Sequence, residues 1–387
     1  MTVDGATIPV TLGFVPSAVA VADGDRPGLL RAGPRAAAPY AREHVEQHVV
    51  AATDTCQRDA VRPDLLEFGF DTVDLSALDV LQRVCARVRE AGVVSDEDAT
   101  AIRSSLQGAT LRRAGGGTIT VLYLADEGFI MRKAGPNGMA VVGPQSRGMN
   151  EHGGATSVHA DQDVFGTPLT QLMDGRAPSL FRHDSPDGAN RDAGLMLVNL
   201  WIPLQQINQP LALADGRSID RPRHQLRYGL ATEGFLDRDD DMAVNDIWTF
   251  LHHPDQRWYL RSDMDHRRAS VFDTLSTAHG ACTLPGEDVA ERCYRALEEA
   301  EAAVAAHDIA ALVEAVSPIR HPSTPAETPR ALRNAIDAMA AAANAAFADP
   351  ALTCGEAADE WLTRSRNERG RVVRMSLEMR MVVSIDE

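Results

Sequence analysis

The sequence predicts a mainly β core with helical additions, built as a barrel or double sheet and not as a βαβ sheet. Three observations carry this. Between residues 118 and 284, short β-branched and aromatic runs are separated by Gly, Pro and Asp turns, as in a many-stranded all-β unit. Beyond Pro285 helical spacing takes over and persists until one strand pattern returns at Arg371. No G-x-G-x-x-G run follows a strand, and Gly115-Gly116-Gly117 precedes one, so a phosphate cradle at a helix N-terminus is unsupported.

The totals set bounds. A chain of 387 residues buries a sizeable core, and domains above about 250–300 residues usually carry additions. Lys plus Arg is 38 against 55 for Asp plus Glu, a net charge of -17. Such a surface repels polyanions, which argues against nucleic acid and anionic membrane as partners. The five cysteines are widely spaced with no C-x-x-C pair, which argues for a reduced, intracellular protein and against a zinc knuckle or disulfide framework. Residues 1–20 lack a basic region followed by an apolar run, and no stretch approaches the roughly 18 apolar residues of a membrane helix, so a cytoplasmic protein is expected.

The elements follow in order. Residues 1 to about 60, rich in Ala, Pro, Gly and Arg, show little periodicity and are expected to be loosely packed entry segments. Leu65 to Phe70 is the first strand-like run. Ser76 is placed to cap a helix with an apolar stripe of Leu78, Leu81, Val84 and Val88 that ends at Gly92, and Ser95 caps a second helix stopping near Gly108. Both should support a sheet. Strands are expected at Thr118–Leu124, Met139–Gly143, Leu195–Leu204, Asp246–Leu251, Arg257–Arg261 and Ala269–Leu275. Trp201, Trp248 and Trp258 are expected as core.

The helical region begins with Val289, Cys293, Leu297, Ala300 and Val304 on one stripe, and Asp308 caps a short helix before Pro318. Thr328 with Pro329 opens a helix in which ten of the twenty residues 331–350 are Ala. Thr353-Cys354-Gly355-Glu356 fits a capping box ahead of a last helix carrying Trp361.

The chemistry centres on Thr156-Ser157-Val158-His159-Ala160-Asp161. On an extended strand His159 and Asp161 project to one side and Ala160 to the other. A distant histidine would complete a facial set of two histidines and one carboxylate, leaving up to three open positions on a six-coordinate iron(II) for co-substrate and oxygen. Among the remaining histidines, His279 lies just past a strand in Thr277-Ala278-His279-Gly280-Ala281, where small neighbours leave room for a metal. It is the expected third ligand.

The last strand pattern, Arg371 to Val383, divides by parity. Val373, Met375, Leu377, Met379 and Met381 share one face, and Arg374, Ser376, Glu378 and Arg380 share the other. The polar face is either solvated or a cavity wall, where an arginine two residues from a serine would grip a carboxylate.

Taken in order, His159-x-Asp161, Val198-Asn199-Leu200-Trp201-Ile202-Pro203-Leu204, Gln209-Pro210-Leu211-Ala212-Leu213-Ala214-Asp215, Gln256-Arg257-Trp258-Tyr259, Phe272-Asp273 leading to His279, and Arg374-x-Ser376-x-Glu378-x-Arg380 carry a resemblance. The chain resembles the iron(II)/2-oxoglutarate oxygenases related to the cephamycin methoxylation component, the fungal endoperoxide-forming enzymes and the gibberellin desaturase-like proteins. The similarity runs from about residue 118 to 284 and resumes at 371–383.

The resemblance implies a double-stranded β-helix, or jelly roll, in which His159, Asp161 and His279 hold Fe(II). It also implies that Arg374 and Ser376 hold the distal carboxylate of the co-substrate 2-oxoglutarate, with Arg380, Asn199 and Trp201 as further cofactor or substrate contacts. With O2, such a site decarboxylates 2-oxoglutarate to succinate while hydroxylating, desaturating or cyclising a small specialised metabolite. The carboxylate of Asp161 fills the position that a halogenating relative leaves open for chloride. The implied organisation is an N-terminal segment with supporting helices at 1–117, the catalytic core at 118–284, a helical insertion at 285–370 acting as lid or homodimer surface, and a returning core strand at 371–387. Two features depart from the family: Ile202 stands where an Arg often follows the Trp, and the helical insertion is not part of the usual core. Two other readings of the residues stay open: a cupin-like metal dioxygenase or hydrolase using the same ligands without 2-oxoglutarate, and a non-catalytic jelly-roll binding module.

Overall fold

In the computed structural model, which describes residues 7–32, 45–56, 61–125, 129–141, 148–150, 152–166, 173–205, 207–231, 244–262 and 265–386, the N-terminal stretch is better ordered than its composition suggests. Strand β1 (Thr7–Phe14) leads to a hairpin of β2 (Ala20–Ala22) and β3 (Leu30–Ala32), and β4 (Glu46–Asp54) pairs antiparallel with β1. Val10, Leu12 and Phe14 alternate into the core as a strand requires, but Pro9 and Gly13 interrupt the sequence pattern. Pro9 is tolerated because β1 is an edge strand of its sheet. The described entry segments are therefore sheet, not loose packing.

The expected strand at Leu65–Phe70 is displaced. Asp64 Oδ1 accepts the Leu66 N–H at 2.8 Å and the Phe68 N–H donates to Asp64 O, so 65–69 turn, and β5 is Phe70–Asp74. Helix α1 (Asp79–Ala91) starts later than Ser76, whose N–H is held by Asp74 Oδ1; it ends at a left-handed Gly92. Helix α2 (Asp96–Leu106) has the expected cap, with Ser95 and Asp98 closing a capping box. Strands β6 (Thr110–Arg112), β7 (Thr118–Leu124) and β8 (Ile130–Ala134) follow. Met139–Val141 is not a strand, because Gly135 N–H bonds back to Met139 O in a turn; Val142 and Gly143 lie outside the described residues.

Next come β9 (His159–Ala160), β10 (His183–Ser185), β11 (Gly188–Asn190), β12 (Leu195–Gln205), β13 (Leu211–Ala214), β14 (Gln225–Ala231), β15 (Val244–Phe250), β16 (Trp258–Leu260), β17 (Arg268–Asp273) and β18 (His279–Ala281). Four longer helices, α3 (Glu287–Ala305), α4 (Ile309–Val316), α5 (Arg330–Ala348) and α6 (Ala358–Arg371), precede the last strand, β19 (Arg374–Asp386). Asp308 caps α4 through the Ala311 N–H as expected. The capping box at Thr353 does not form. Thr353 sits inside a short helix, Pro350–Cys354, and its hydroxyl donates to Asp349 O, while α6 starts without a side-chain cap.

Eight strands build a jelly roll. From β8 the chain crosses between two sheets through β9, β12, β13, β16, β17, β18 and β19, so that β8-β19-β12-β17 are neighbours in one sheet and β16-β13-β18-β9 in the other, all antiparallel. The two inner faces meet in an aromatic cluster of Phe68, Phe70, Trp201, Leu211, Leu213, Tyr259 and Phe272. Outside, α1 and α2 cover the β12/β19 sheet through Leu81, Val84, Val88 and Ile102 against Leu200, Met379 and Met381. The other sheet is covered by the helical layer, with Leu297, Leu332, Ile336 and Met339 in one core with Val10, Ala160, Ala212 and Trp258. All three expected core tryptophans are fully buried.

Candidate active site

The polar residues inside the roll are set by strand parity. On β12, Met196, Val198, Leu200 and Ile202 face the helices, so Leu197, Asn199 and Trp201 face inward. On β19 the methionines and Leu377 face out, which turns Arg374, Ser376, Glu378 and Arg380 into the roll. This decides between the two readings of that face. Arg374 is 1% and Ser376 0% exposed, so the wall is internal.

His159 and His279 are brought together by register. They are directly opposite residues of the antiparallel pair β9–β18, with ring centroids 4.3 Å apart. The His159 Nδ1 lies 2.8 Å from Ser157 O and the His279 Nδ1 3.0 Å from Thr277 O. Each Nδ1–H donates to a main-chain carbonyl, which fixes the tautomer and presents the Nε2 lone pair. Asp161 completes the set, its Oδ1 3.5 Å from His159 Nε2 and its Oδ2 3.6 Å from His279 Nε2. One ligand atom from each residue can be chosen so that all lie within 4.8 Å of one another.

Electrostatics suit a cation. Burial alone would raise the Asp161 carboxyl, but His279, His159 and the Arg380 guanidinium, 3.8 Å away, hold it well below the usual carboxylate range. Burial and the neighbouring His159 push His279 down to about 4, keeping its imidazole neutral at physiological pH. A carboxylate and a neutral imidazole are the protonation states a metal ligand needs.

Beside the two histidines lies a small cavity lined by Arg132, His159, His279, Arg374 and Glu378 among others. Arg374 Nε and Nη2 and Ser376 Oγ have no hydrogen-bond partner among the described residues. Buried polar atoms are rarely left so, and a buried cation without an anion is rarer still. Glu378 does not serve Arg374, since both its oxygens accept from Arg132 Nε at 2.9 and 2.8 Å. The donor set fits a carboxylate ligand: a guanidinium edge and, two residues along the same strand face, a hydroxyl, both buried and unpartnered among the described residues.

The other expected contacts, Arg380, Asn199 and Trp201, also lie on inward faces of the roll. Arg380 stands at Asp161, and Asn199 Nδ2 donates to Asp161 Oδ2. Trp201 belongs to the aromatic cluster, with the Arg374 guanidinium carbon 6.0 Å from its ring. Sequence reasoning missed Arg132, Thr274 and Gly154. Arg132 pairs opposite Ser376 on β8 and reaches Glu378 diagonally, and Thr274 hydrogen-bonds Asn199. At Gly154 a Cβ would approach Ala134 to 3.2 Å and Arg374 Nη2 to 3.8 Å, so glycine keeps the cavity wall thin. The available signals, an Arg in a short strand, a Thr at a strand end and one Gly of a pair, are generic.

Comparisons with known proteins are as follows. A family described as an oxidoreductase/YMDC permease-like domain matches residues 130–286. No curated protein sequence matches the chain. Similar solved structures include the iron and alpha-ketoglutarate-dependent endoperoxidase NvfI, at 15% identity and a TM-score of 0.45 over 98% of this chain and 99% of that one. A tryptophan-to-phenylalanine variant of the same enzyme is similar at 16% identity and a TM-score of 0.46 over 100% of both chains.

Proposed function

We propose that this chain is an iron(II)- and 2-oxoglutarate-dependent oxygenase that hydroxylates, desaturates or cyclises a small specialised metabolite. The observation that carries the reading is a His159/Asp161/His279 facial set whose two histidines share a cavity with the buried, unpartnered Arg374, with the unpartnered Ser376 next to it on the same strand face. When bound, iron(II) with 2-oxoglutarate and O2 supplies an oxidant able to remove a hydrogen atom from an unactivated carbon, with succinate and carbon dioxide as co-products.

The chain's own residues position and exclude. His159 and His279 offer Nε2 because their Nδ1–H groups are tied to Ser157 O and Thr277 O. Asp161 offers one carboxylate oxygen in the place that a halogenating relative leaves open for chloride, which favours oxygenation chemistry over chlorination. Arg374 and Ser376, buried and without a hydrogen-bond partner among the described residues, take the distal carboxylate of 2-oxoglutarate. Arg132 neutralises Glu378, so the cavity does not repel that anion. The aromatic cluster around Trp201 closes the roll beside the site and keeps water out.

The test is spectroscopic. Anaerobic protein given iron(II) and 2-oxoglutarate should develop a weak visible charge-transfer band that His159→Ala abolishes. Folded wild type that binds both and shows no band overturns the proposal.

A further inference from the structure

Asn199 is the one polar side chain on the inner face of β12 between the apolar Leu197 and Trp201. Its Nδ2 donates to Asp161 Oδ2, and its Oδ1 accepts from the Thr274 hydroxyl at 3.0 Å. Asn199 is 6% and Thr274 0% exposed, so water does not replace either bond. The amide orientation follows from charge: with Oδ1 toward Asp161, two acceptors would face each other in a dry interior. The acceptor-only Asp161 carboxylate therefore sets the orientation, and the Thr274 hydroxyl satisfies it by donating to Oδ1 on the far side. The anchor is itself held, since the Thr274 N–H bonds to Leu197 O at 3.1 Å, two residues along β12 from the amide it holds.

We propose that Asn199 and Thr274 form a positioning relay that holds the Asp161 carboxylate plane, leaving Oδ1 turned to His159 as the metal-binding oxygen. The inference rests on the metal-site reading above. Neither residue touches the metal; both act through Asp161. Supporting partners of this kind typically change metal affinity by about 10–100-fold when removed.

Cobalt(II) titration in the absence of 2-oxoglutarate and oxygen tests it, read by calorimetry and by the visible ligand-field bands of the bound ion. Wild type should bind one cobalt. Thr274→Val, which keeps shape and removes the hydroxyl, and Asn199→Ala should each bind about 10–100-fold more weakly with shifted bands. Thr274→Ser should restore both affinity and spectrum. Variants within twofold of wild type with identical bands overturn the relay, as does a Thr274→Ser protein that behaves like the valine variant. Wild type that takes up no cobalt overturns the metal-site reading itself, and the relay with it. Circular dichroism checks folding; should Asn199→Ala fail to fold, the two Thr274 variants decide alone.

Discussion

Replacing Arg374 by methionine should make the ligand-free protein more stable while removing its response to 2-oxoglutarate. The guanidinium is 1% exposed and has no carboxylate partner: Glu378 is held by Arg132, and Glu287 is saturated by N–H donors. Burial pushes its pKa from the ordinary 12.5 down to about 10, opposed only partly by Glu378. At about 1.4 kcal/mol per pH unit, the charge costs about 3 kcal/mol in the folded state. A cation with a lowered folded-state pKa carries this penalty at every pH below about 10, so it is flat across the neutral range. Methionine fills similar volume without a charge, and replacing buried ions by apolar side chains typically stabilises by about 1–4 kcal/mol. Urea denaturation of the metal-loaded protein, with and without 2-oxoglutarate, measures both effects. Saturation at about a hundredfold excess over Kd should stabilise wild type by about 2.7 kcal/mol and the variant not at all. An Arg374→Met protein that is less stable than wild type without ligand, or equally stabilised by ligand, refutes the assignment of this arginine to an anion.

Three further outcomes follow from buried groups elsewhere. Glu287 is fully buried at the start of α3 and accepts from Asn137 N, Gln209 N, Gln209 Nε2 and Leu284 N at 2.7–2.9 Å, so Glu287→Gln sets an NH2 against donors and should cost about 2–3 kcal/mol in chemical denaturation; a loss under about 0.5 kcal/mol contradicts this. Burial pushes the Asp273 carboxyl up to about 6 despite the Leu275 N–H and Ser276, so its protonated form is favoured in the fold and stability should fall as pH rises from about 4 through about 6. Asp273→Asn keeps the acceptor for Leu275 and should remove its share of that decline, up to about 3 kcal/mol, from the pH dependence of the urea midpoint; an unchanged slope rules the account out. Gly286 has φ +91° and a Cβ there would stand 2.5 Å from Thr328 Oγ1, so Gly286→Ala should lower Tm by several degrees, and an unchanged Tm would show that Thr328 moves aside freely.

How much of this was visible beforehand depended on whether the signal was local. The alternation along β19 is a period-2 pattern within one strand, and His159-x-Asp161 is as local, starting on β9 and ending one residue past it. The Ser95 cap and the left-handed end at Gly92 are equally local. The N-terminal strands were hidden because Pro9 and Gly13 break the pattern, while the edge position that excuses Pro9 is a property of the sheet. Ser76 and Thr353 have the right residue types for caps, but each is captured by a nearer partner, Asp74 and Asp349, a competition that composition does not reveal.

The site itself shows where pattern reading stops. That Arg374 shares a face with Ser376 is visible in the sequence; that the face is internal depends on which side α1 and α2 cover. Glu378 lies four residues from Arg374 on the same face of β19. The register of β8 against β19 brings Arg132 to Glu378 and leaves Arg374 Nε and Nη2 without a hydrogen-bond partner among the described residues. Two strands in a different register by one residue would turn Arg132 to the opposite face and let Glu378 neutralise Arg374. The anion-binding character of the cavity is therefore a property of the β8–β19 pairing as much as of Arg374. A change at Arg132 that frees Glu378 should weaken 2-oxoglutarate binding without touching any atom that holds it, since the released carboxylate would compete for the same guanidinium.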